Sequence, residues 1–459
     1  MNFPPGFLEQ LTGIPGFSKD AFVEAHAAGS AVTSVRLNLH KSLPVFPPAS
    51  LKISQNISSG LTTATIPWCD AGFYLSERPS FTFDPLFHAG TYYVQEASSM
   101  FLEQAMKQSV DLSAPLKVLD LCAAPGGKST HLQSLISKES LLVSNEVIRA
   151  RSYILRDNII KWGAENVVVT NNDPKDFTEL EGYFDVIVAD APCSGSGLFR
   201  KEPEAMEEWS ENNVQLCAQR QQRILADILP ALTNGGFLIY STCSYSEAED
   251  EAISNWLIRE HAMQPLRLSI DPGWGLVESE GGYRFWPDQV KGEGFFLACF
   301  QKTNGRDSYK LKPRKLMRLA AKEALTAVKP WMNIAGKELI MHEQTVYAWP
   351  GKSVQDFQLL LEKLRVVYSG VRVGELIREK LVPDHALAMS TCMADHVMRT
   401  ELTEEQAIAF LQKKEFNLES RQKGWQLATY ESFPLGWLNV LPNRFNNYYP
   451  RELRILKEK

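Results

Sequence analysis

The sequence lacks several features, and each absence excludes something. Its seven cysteines stand at positions 69, 122, 193, 217, 243, 299 and 392, and no two are near neighbours in the chain. Without a CxxC pair there is no zinc-finger spacing, so no metal site is expected. An odd number of scattered thiols in a large chain also makes no disulfide framework. Most of them should be small buried hydrophobes unless local context promotes one. No apolar run approaches the roughly 18 residues a membrane helix needs. The opening Met1-Asn2-Phe3-Pro4-Pro5 has no basic region leading into an apolar stretch, so it does not read as a signal peptide and a cytoplasmic protein is expected. Internal repeats and low-complexity tracts are also missing.

Strong net charge is another absence. The formal charge of −6 argues mildly against a nucleic-acid partner, because phosphate binding needs basic surface. The charge is uneven, however. Lys302 to Arg318 holds seven basic residues and one acid, and Arg444 to Lys459 holds five and two. Each reads either as a solvated segment or as a basic strip on an otherwise acidic protein.

What is present is a chain of 459 residues, 44% hydrophobic and 22% charged, an ordinary globular composition. That length suggests about three domains. Residues 1 to 80 open with a helical segment (Pro5 to Ala27), a strand candidate (Val32 to Leu39) and a Pro/Ser-rich stretch (Leu43 to Ser59), which together suggest a small α+β module. Residues 81 to 303 alternate short apolar strands with helices, the pattern of a doubly wound α/β sheet. Strands are predicted at Lys117–Leu121, Leu141–Asn145, Val167–Thr170, Phe184–Ala189, Phe237–Ser241 and Gly294–Gln301. Helices are predicted at Lys128–Ile136, Ala150–Trp162 and Ala205–Leu232, with turns at Gly126-Gly127 and Gly235-Gly236. Residues 304 to 318 read as a basic linker, and Val354–Leu364 as an amphipathic helix. The last two regions are bounded at 304–368 and 369–459.

Ligands of such sheets sit at the carboxyl ends of the strands. The segment from Val118 to Ser129, VLDLCAAPGGKS, runs strand, small-residue loop, helix. It is neither GxGxxG nor a P-loop, which disfavours a dinucleotide or a triphosphate. Its small residues and helix N-terminus suit a carboxylate such as that of the methionine moiety of S-adenosylmethionine. Glu146 ends the second strand, 26 residues after Asp120, where an acid can accept ribose hydroxyls. Asp173 follows the third strand and Asp190 the fourth. Each acid alone is as readily a turn or helix-cap residue. Together they form a row suited to ribose hydroxyls, an adenine amine and an α-ammonium group.

Two cysteines also fall at strand ends, Cys193 in Asp190-Ala191-Pro192-Cys193-Ser194-Gly195 and Cys243 in Ser241-Thr242-Cys243-Ser244. Adjacent strand ends lie about 5 Å apart, so both thiols can face one pocket. Cys122 belongs to the cofactor loop, and Cys299, in mid-strand, reads as core. A thiolate that adds to carbon 6 of cytosine makes carbon 5 nucleophilic enough to take a methyl group. Positive charge would favour that thiolate, with Lys128, Arg200 and Lys201 as candidates.

DLCAAPGGKS (120–129), DAPCSGSGLFRK (190–201) and STCSYSEAEDE (241–251), with GTYYVQEASSM (90–100) ahead of them, closely resemble the Nol–Nop–Sun family of RNA cytosine-5 methyltransferases. The N-terminal opening and the tail FPLGWLNVLPNRFNNYYPRELR resemble its RsmF/YebU type, which modifies 16S ribosomal RNA and carries a PUA-like C-terminal domain. The resemblance implies a Rossmann-like methyltransferase core between a small N-terminal α+β domain and a PUA-like extension. It implies Cys243 as the nucleophile and Cys193 as the group assisting proton removal and product release. It assigns S-adenosylmethionine to Cys122, Ala123, Ala124, Pro125, Gly126, Gly127, Lys128, Glu146, Asp173 and Asp190, with Asp190 also near the cytosine. RNA, from ribosomal RNA or the small subunit, is the implied partner, with no membrane and a monomer as the default. The type usually reads Trp-Pro-His where this chain has Trp286-Pro287-Asp288.

Three other readings remain. A DNA cytosine-5 enzyme would use the Pro-Cys thiol at 193 and would not need Cys243. A transfer-RNA cytosine-5 methyltransferase is the second. A non-catalytic ribosome-assembly factor would not need the intact thiols and acids. At the tail, Arg444, Tyr448, Tyr449, Arg451 and Arg454 combine aromatic and basic groups suited to RNA, or else pack a core.

Overall fold

A computed structural model describes residues 2–29, 32–41, 65–305, 308–312, 315–316, 319–418 and 422–458. The Pro/Ser-rich stretch lies outside the described residues, as do parts of the basic linker.

A three-stranded antiparallel sheet opens the fold, with β1 (Ser34–Leu37) between β2 (Gly72–Tyr74) and β3 (Tyr92–Val94). The predicted N-terminal helix is two helices, Phe7–Gln10 and Lys19–Ala27, separated by a turn with Gly13 and Gly16 at positive φ. Phe7 and Phe22 are fully buried against Phe199, Trp209, Tyr245 and Trp286, so this module braces the loop that follows Cys243.

The central sheet has ten strands. Its parallel part comprises β4 (Lys117–Asp120), β5 (Leu141–Asn145), β6 (Val167–Thr170), β7 (Phe184–Asp190) and β8 (Leu232–Thr242), ordered β8-β7-β4-β5-β6. These strands are nearly continuous apolar runs because helices cover both faces. Strand order reverses beside β4, which opens a crevice at the carboxyl ends of β4 and β7. The short β9 (Met263–Pro265), with β10 (Val277–Ser279), β11 (Gly282–Phe285) and β12 (Phe295–Lys302), extends the β8 edge antiparallel.

Two predicted boundaries move. Gly235-Gly236 is not a turn before a strand but a bulge inside β8. Gly235 has φ +78°, and a Cβ on Gly236 would come within 2.9 Å of the Asp185 carbonyl. The helix expected over 205–232 is broken: Ala205–Glu208 and Glu211–Ile228 are separate, the second capped by Ser210 accepting from the Asn213 N–H.

Beyond the core, β13 (Lys337–His342) and β14 (Thr345–Pro350) form a hairpin, and the helix Val354–Lys363 lies where the periodicity predicts it. The next strand, β15 (Val366–Ser369), leaves that hairpin and pairs antiparallel with β6, becoming the outer edge of the central sheet. β16 (Val371–Ile377) then returns to β14 and pairs with β17 (Lys380–Pro383). A fourth sheet, β18 (Arg399–Glu401), β19 (Gly424–Tyr430), β20 (Phe433–Val440) and β21 (Phe445–Asn447), closes the chain. The tyrosine pair of the tail is divided. Tyr449 is buried against His385 and Phe410, while Tyr448 is exposed beside Trp425, as are Arg444, Arg451 and Arg454. No described helix is long and apolar enough to cross a membrane.

Candidate active site

The site is built at the carboxyl ends of β4 to β8. From β4 the chain passes through Leu121 and Cys122 into the loop and then the helix Gly127–Leu135. Ala123 and Ala124 are buried, Pro125 is exposed, and the Ala124-Pro125 bond is cis. Gly126 has φ +119°, a conformation other residues rarely adopt, and so turns the chain into the helix. The loop is tied from outside by Arg151 Nη2 donating to the Ala124 carbonyl at 2.8 Å and Asn158 to that of Pro125 at 2.8 Å. Burial pushes the Cys122 thiol well above its ordinary range, which suits packing rather than nucleophilicity.

Asp120 is fully buried beneath this loop. Its Oδ2 accepts from Ser129 Oγ at 2.6 Å, while Oδ1 has no hydrogen-bond partner among the described residues. Burial raises its pKa to about 7, against the opposing pull of the Ser129 bond and Lys128.

Along the sheet edge the predicted acids stand in the expected row. Glu146 is 3% exposed; its Oε1 accepts from the Ile148 N–H at 2.8 Å, and its Oε2 lies 3.8 Å from Arg151. Asp173 caps the turn of helix Pro174–Leu180 in a reciprocal box with Asp176, and its other oxygen lies 3.5 Å from Arg223. Asp190 accepts from Ser241 Oγ at 2.7 Å and pairs with Lys128 Nζ at 2.8 Å. Asn145, not singled out in the sequence, stitches the strand ends together. Its amide donates to the carbonyls of Leu121 and Asn172 and accepts from Thr170. No motif marks it; only its place as the last residue of β5 could.

The thiols meet. β7 and β8 are parallel neighbours with Asp190 opposite Ser241, and the Sγ atoms of Cys193 and Cys243 lie 3.0 Å apart. The hydrogen bond with Cys243 pushes the Cys193 pKa well up, and burial adds to it, so Cys193 rests as a thiol. Lys128 is the cation beside them. Burial opposes its charge, but Asp190, Asp120 and Cys243 outweigh this and hold the ammonium above its ordinary range. Arg200 is not used this way: it donates to Glu293 at 2.9 Å and to the Gly292 carbonyl at 2.6 Å. Lys201 is exposed, and Asp288 is half-buried beside Trp286, whose ring stacks on Tyr245. Cys299 is buried, as its mid-strand place predicts, and Cys69 and Cys217 are buried as well.

The chain matches four family models in order. They are the N-terminal domain of 16S rRNA methyltransferase RsmF (3–97), 16S rRNA methyltransferase RsmB/F (109–301), the RsmF first C-terminal domain (321–390) and the methyltransferase RsmF PUA domain (398–455). The fourth sheet is therefore PUA-like, behind a Rossmann-like methyltransferase core. Among solved structures, a methyltransferase homologue from Pyrococcus horikoshii is 26% identical with TM-score 0.50, covering 65% of this chain and 99% of its own. Among curated relatives, the ribosomal RNA small subunit methyltransferase F of Cronobacter sakazakii is 29% identical over 98% of this chain and 96% of its own. The protein of that name from Escherichia coli is 30% identical over the same shares. Identity at that level across nearly the whole of both chains decides kinship: the chain belongs to the ribosomal RNA small subunit methyltransferase F family, the RsmF type of the Nol–Nop–Sun group.

Proposed function

We propose that this protein transfers a methyl group from S-adenosylmethionine to carbon 5 of a cytosine in 16S ribosomal RNA, through a covalent bond between Cys243 and carbon 6. The observation that carries the reading is the pair of thiols 3.0 Å apart at the ends of β7 and β8, beside the Lys128–Asp190 ion pair.

The cofactor fits the chemistry of the row. The buried Asp120 Oδ1, without a partner among the described residues, and the weakly engaged Glu146 Oε2 are polar atoms left for such a ligand. Glu146 would take the ribose hydroxyls, Asp173 the adenine side, and the 122–128 loop with Asp190 the methionine moiety. S-adenosylmethionine supplies an electrophilic methyl group when bound.

The protein's own groups do the rest. Lys128 places a positive charge beside Cys243, whose thiolate form is the nucleophile. The thiolate adds to carbon 6 and the ring's electrons move to carbon 5. Asp190, at the strand end next to Ser241, holds the cytosine amine or ring nitrogen. After methylation the carbon 5 proton passes to water with Cys193 assisting, the double bond re-forms, and the carbon 6–sulfur bond breaks to free Cys243.

The exposed Arg444, Tyr448, Arg451 and Arg454 would dock RNA through phosphate contact and stacking. Reversing the three arginines to Glu should weaken RNA binding about tenfold and flatten its salt dependence. An unchanged salt slope would remove the tail from the interface.

The substrate is tested by supplying purified protein with labelled S-adenosylmethionine and naked 16S RNA, small subunits or transfer RNA, then analysing the nucleosides. 5-Methylcytosine in 16S RNA is expected. Label confined to transfer RNA would move the substrate, and no label anywhere would leave an assembly factor.

A further inference from the structure

Glu249 is fully buried on the short turn Glu247–Glu249, six residues after Cys243, and the chemistry above gives it no task. Its carboxylate nevertheless touches both cysteine loops. Oε1 accepts from the Ser194 N–H at 2.7 Å, and Oε2 accepts from Ser194 Oγ at 2.6 Å and from Ser244 Oγ at 2.6 Å. Ser194 follows Cys193, and Ser244 follows Cys243. One side chain thus holds the residue after each thiol.

The clamp is itself fixed. Tyr240, on β8, donates to the Glu249 carbonyl at 2.6 Å, and the Ser246 N–H donates to Ser244 Oγ at 3.0 Å. The next two carboxylates, Asp250 and Glu251, anchor the turn to Arg284 on β11, and Thr242 donates to Asp250 at 2.6 Å. Burying a carboxylate is costly, and burial raises the Glu249 pKa despite its three donors. An apolar side chain could fill the same space more cheaply, but it could not bind two loops at once.

We propose that Glu249 is the positioning residue that sets the separation of the two thiols, by joining Ser194 and Ser244 through one carboxylate. The inference rests on the reading of Cys193 and Cys243 as a working pair. A nucleophile and its helper must keep their spacing while one of them is bonded to the substrate, and a shift of about 1 Å can cost on the order of 100-fold in rate.

The test uses the full-length enzyme with Glu249→Gln, Glu249→Asp and Ser194→Ala. Gln keeps the size but turns an NH2 donor toward groups that already donate. Thiol spacing is read without turnover by phenylarsine oxide, whose arsenic bonds to both sulfurs with loss of water only when they are close. Wild type should bind one arsenical and protect both cysteines from alkylation. Glu249→Gln should lose that bridging and about 100-fold in kcat, with the KM for S-adenosylmethionine within about threefold. Ser194→Ala should lose about tenfold in kcat, and Glu249→Asp should recover part of the loss. Wild-type bridging and kcat in folded Glu249→Gln would overturn the proposal. If Glu249→Gln fails to fold, full bridging and kcat in Ser194→Ala would overturn it. Failure of the underlying reading looks different: wild type itself would then make no 5-methylcytosine.

Discussion

At the ends of β5 and β6 the carboxylates are held by their own loops, whereas at the ends of β7 and β8 they are held across loops. Glu146 accepts from Ile148, two residues on, and Asp173 from Lys175, also two residues on. Asp190, by contrast, spans to Ser241 and Lys128, and Glu249 spans to Ser194. A locally satisfied acid can be removed with damage confined to its own loop and one partly exposed arginine pair. An acid that joins two loops sets their geometry, so its loss should reach the chemistry. On the proposed reading, the β5–β6 side is a binding surface and the thiol side is a framework.

That contrast can be broken by substitution. The largest effect is expected at Asp190→Asn, which leaves Lys128 without its charge partner and weakens the hold on Ser241. It should lower kcat about 100-fold or more, and weaken cofactor binding as well, by less than Glu146→Ala does. A loss confined to cofactor affinity would put Asp190 with the binding acids. Glu146→Ala should weaken cofactor binding by about 10- to 100-fold, measured calorimetrically, with kcat at saturation nearly kept.

Asp120 sharpens the comparison through pH. Its folded pKa, about 7, lies above its ordinary value of 3.8, so the native state keeps a proton that the unfolded chain releases. Stability should therefore fall as pH rises from about 4 to about 7, by a few kcal/mol at most from this group. Asp120→Asn should flatten that slope in denaturant titrations; an identical slope would mean the group ionises normally. The smallest effect belongs to Asp173→Ala. It should cost about 1 kcal/mol of stability as a lost cap and only a few-fold in cofactor affinity. A loss matching that of Glu146→Ala would make Asp173 a full cofactor ligand.

The two sides also differ in how far they were legible. The row of acids and both thiols follow from strand periodicity, since each strand's end is written in its own few residues. Local signals could not show that Gly235-Gly236 is a bulge, because that depends on Asp185 of the neighbouring strand. Nor could they show that β15 leaves its own hairpin to cover the edge of β6. Glu249 was hidden for the same reason: its partner Ser194 stands 55 residues away. The capping role of Asp173 was legible as an alternative, and the structure contains it.

The central claim is that the two thiols have different roles, and trapping the protein–RNA adduct tests it most directly. Wild type, Cys243→Ala and Cys193→Ala would each be incubated with 16S RNA and S-adenosylmethionine and resolved on a denaturing gel. Wild type should turn over without a stable adduct, Cys243→Ala should give neither product nor adduct, and Cys193→Ala should accumulate an adduct. An active Cys243→Ala beside a dead, adduct-free Cys193→Ala would reverse the assignment and contradict the account.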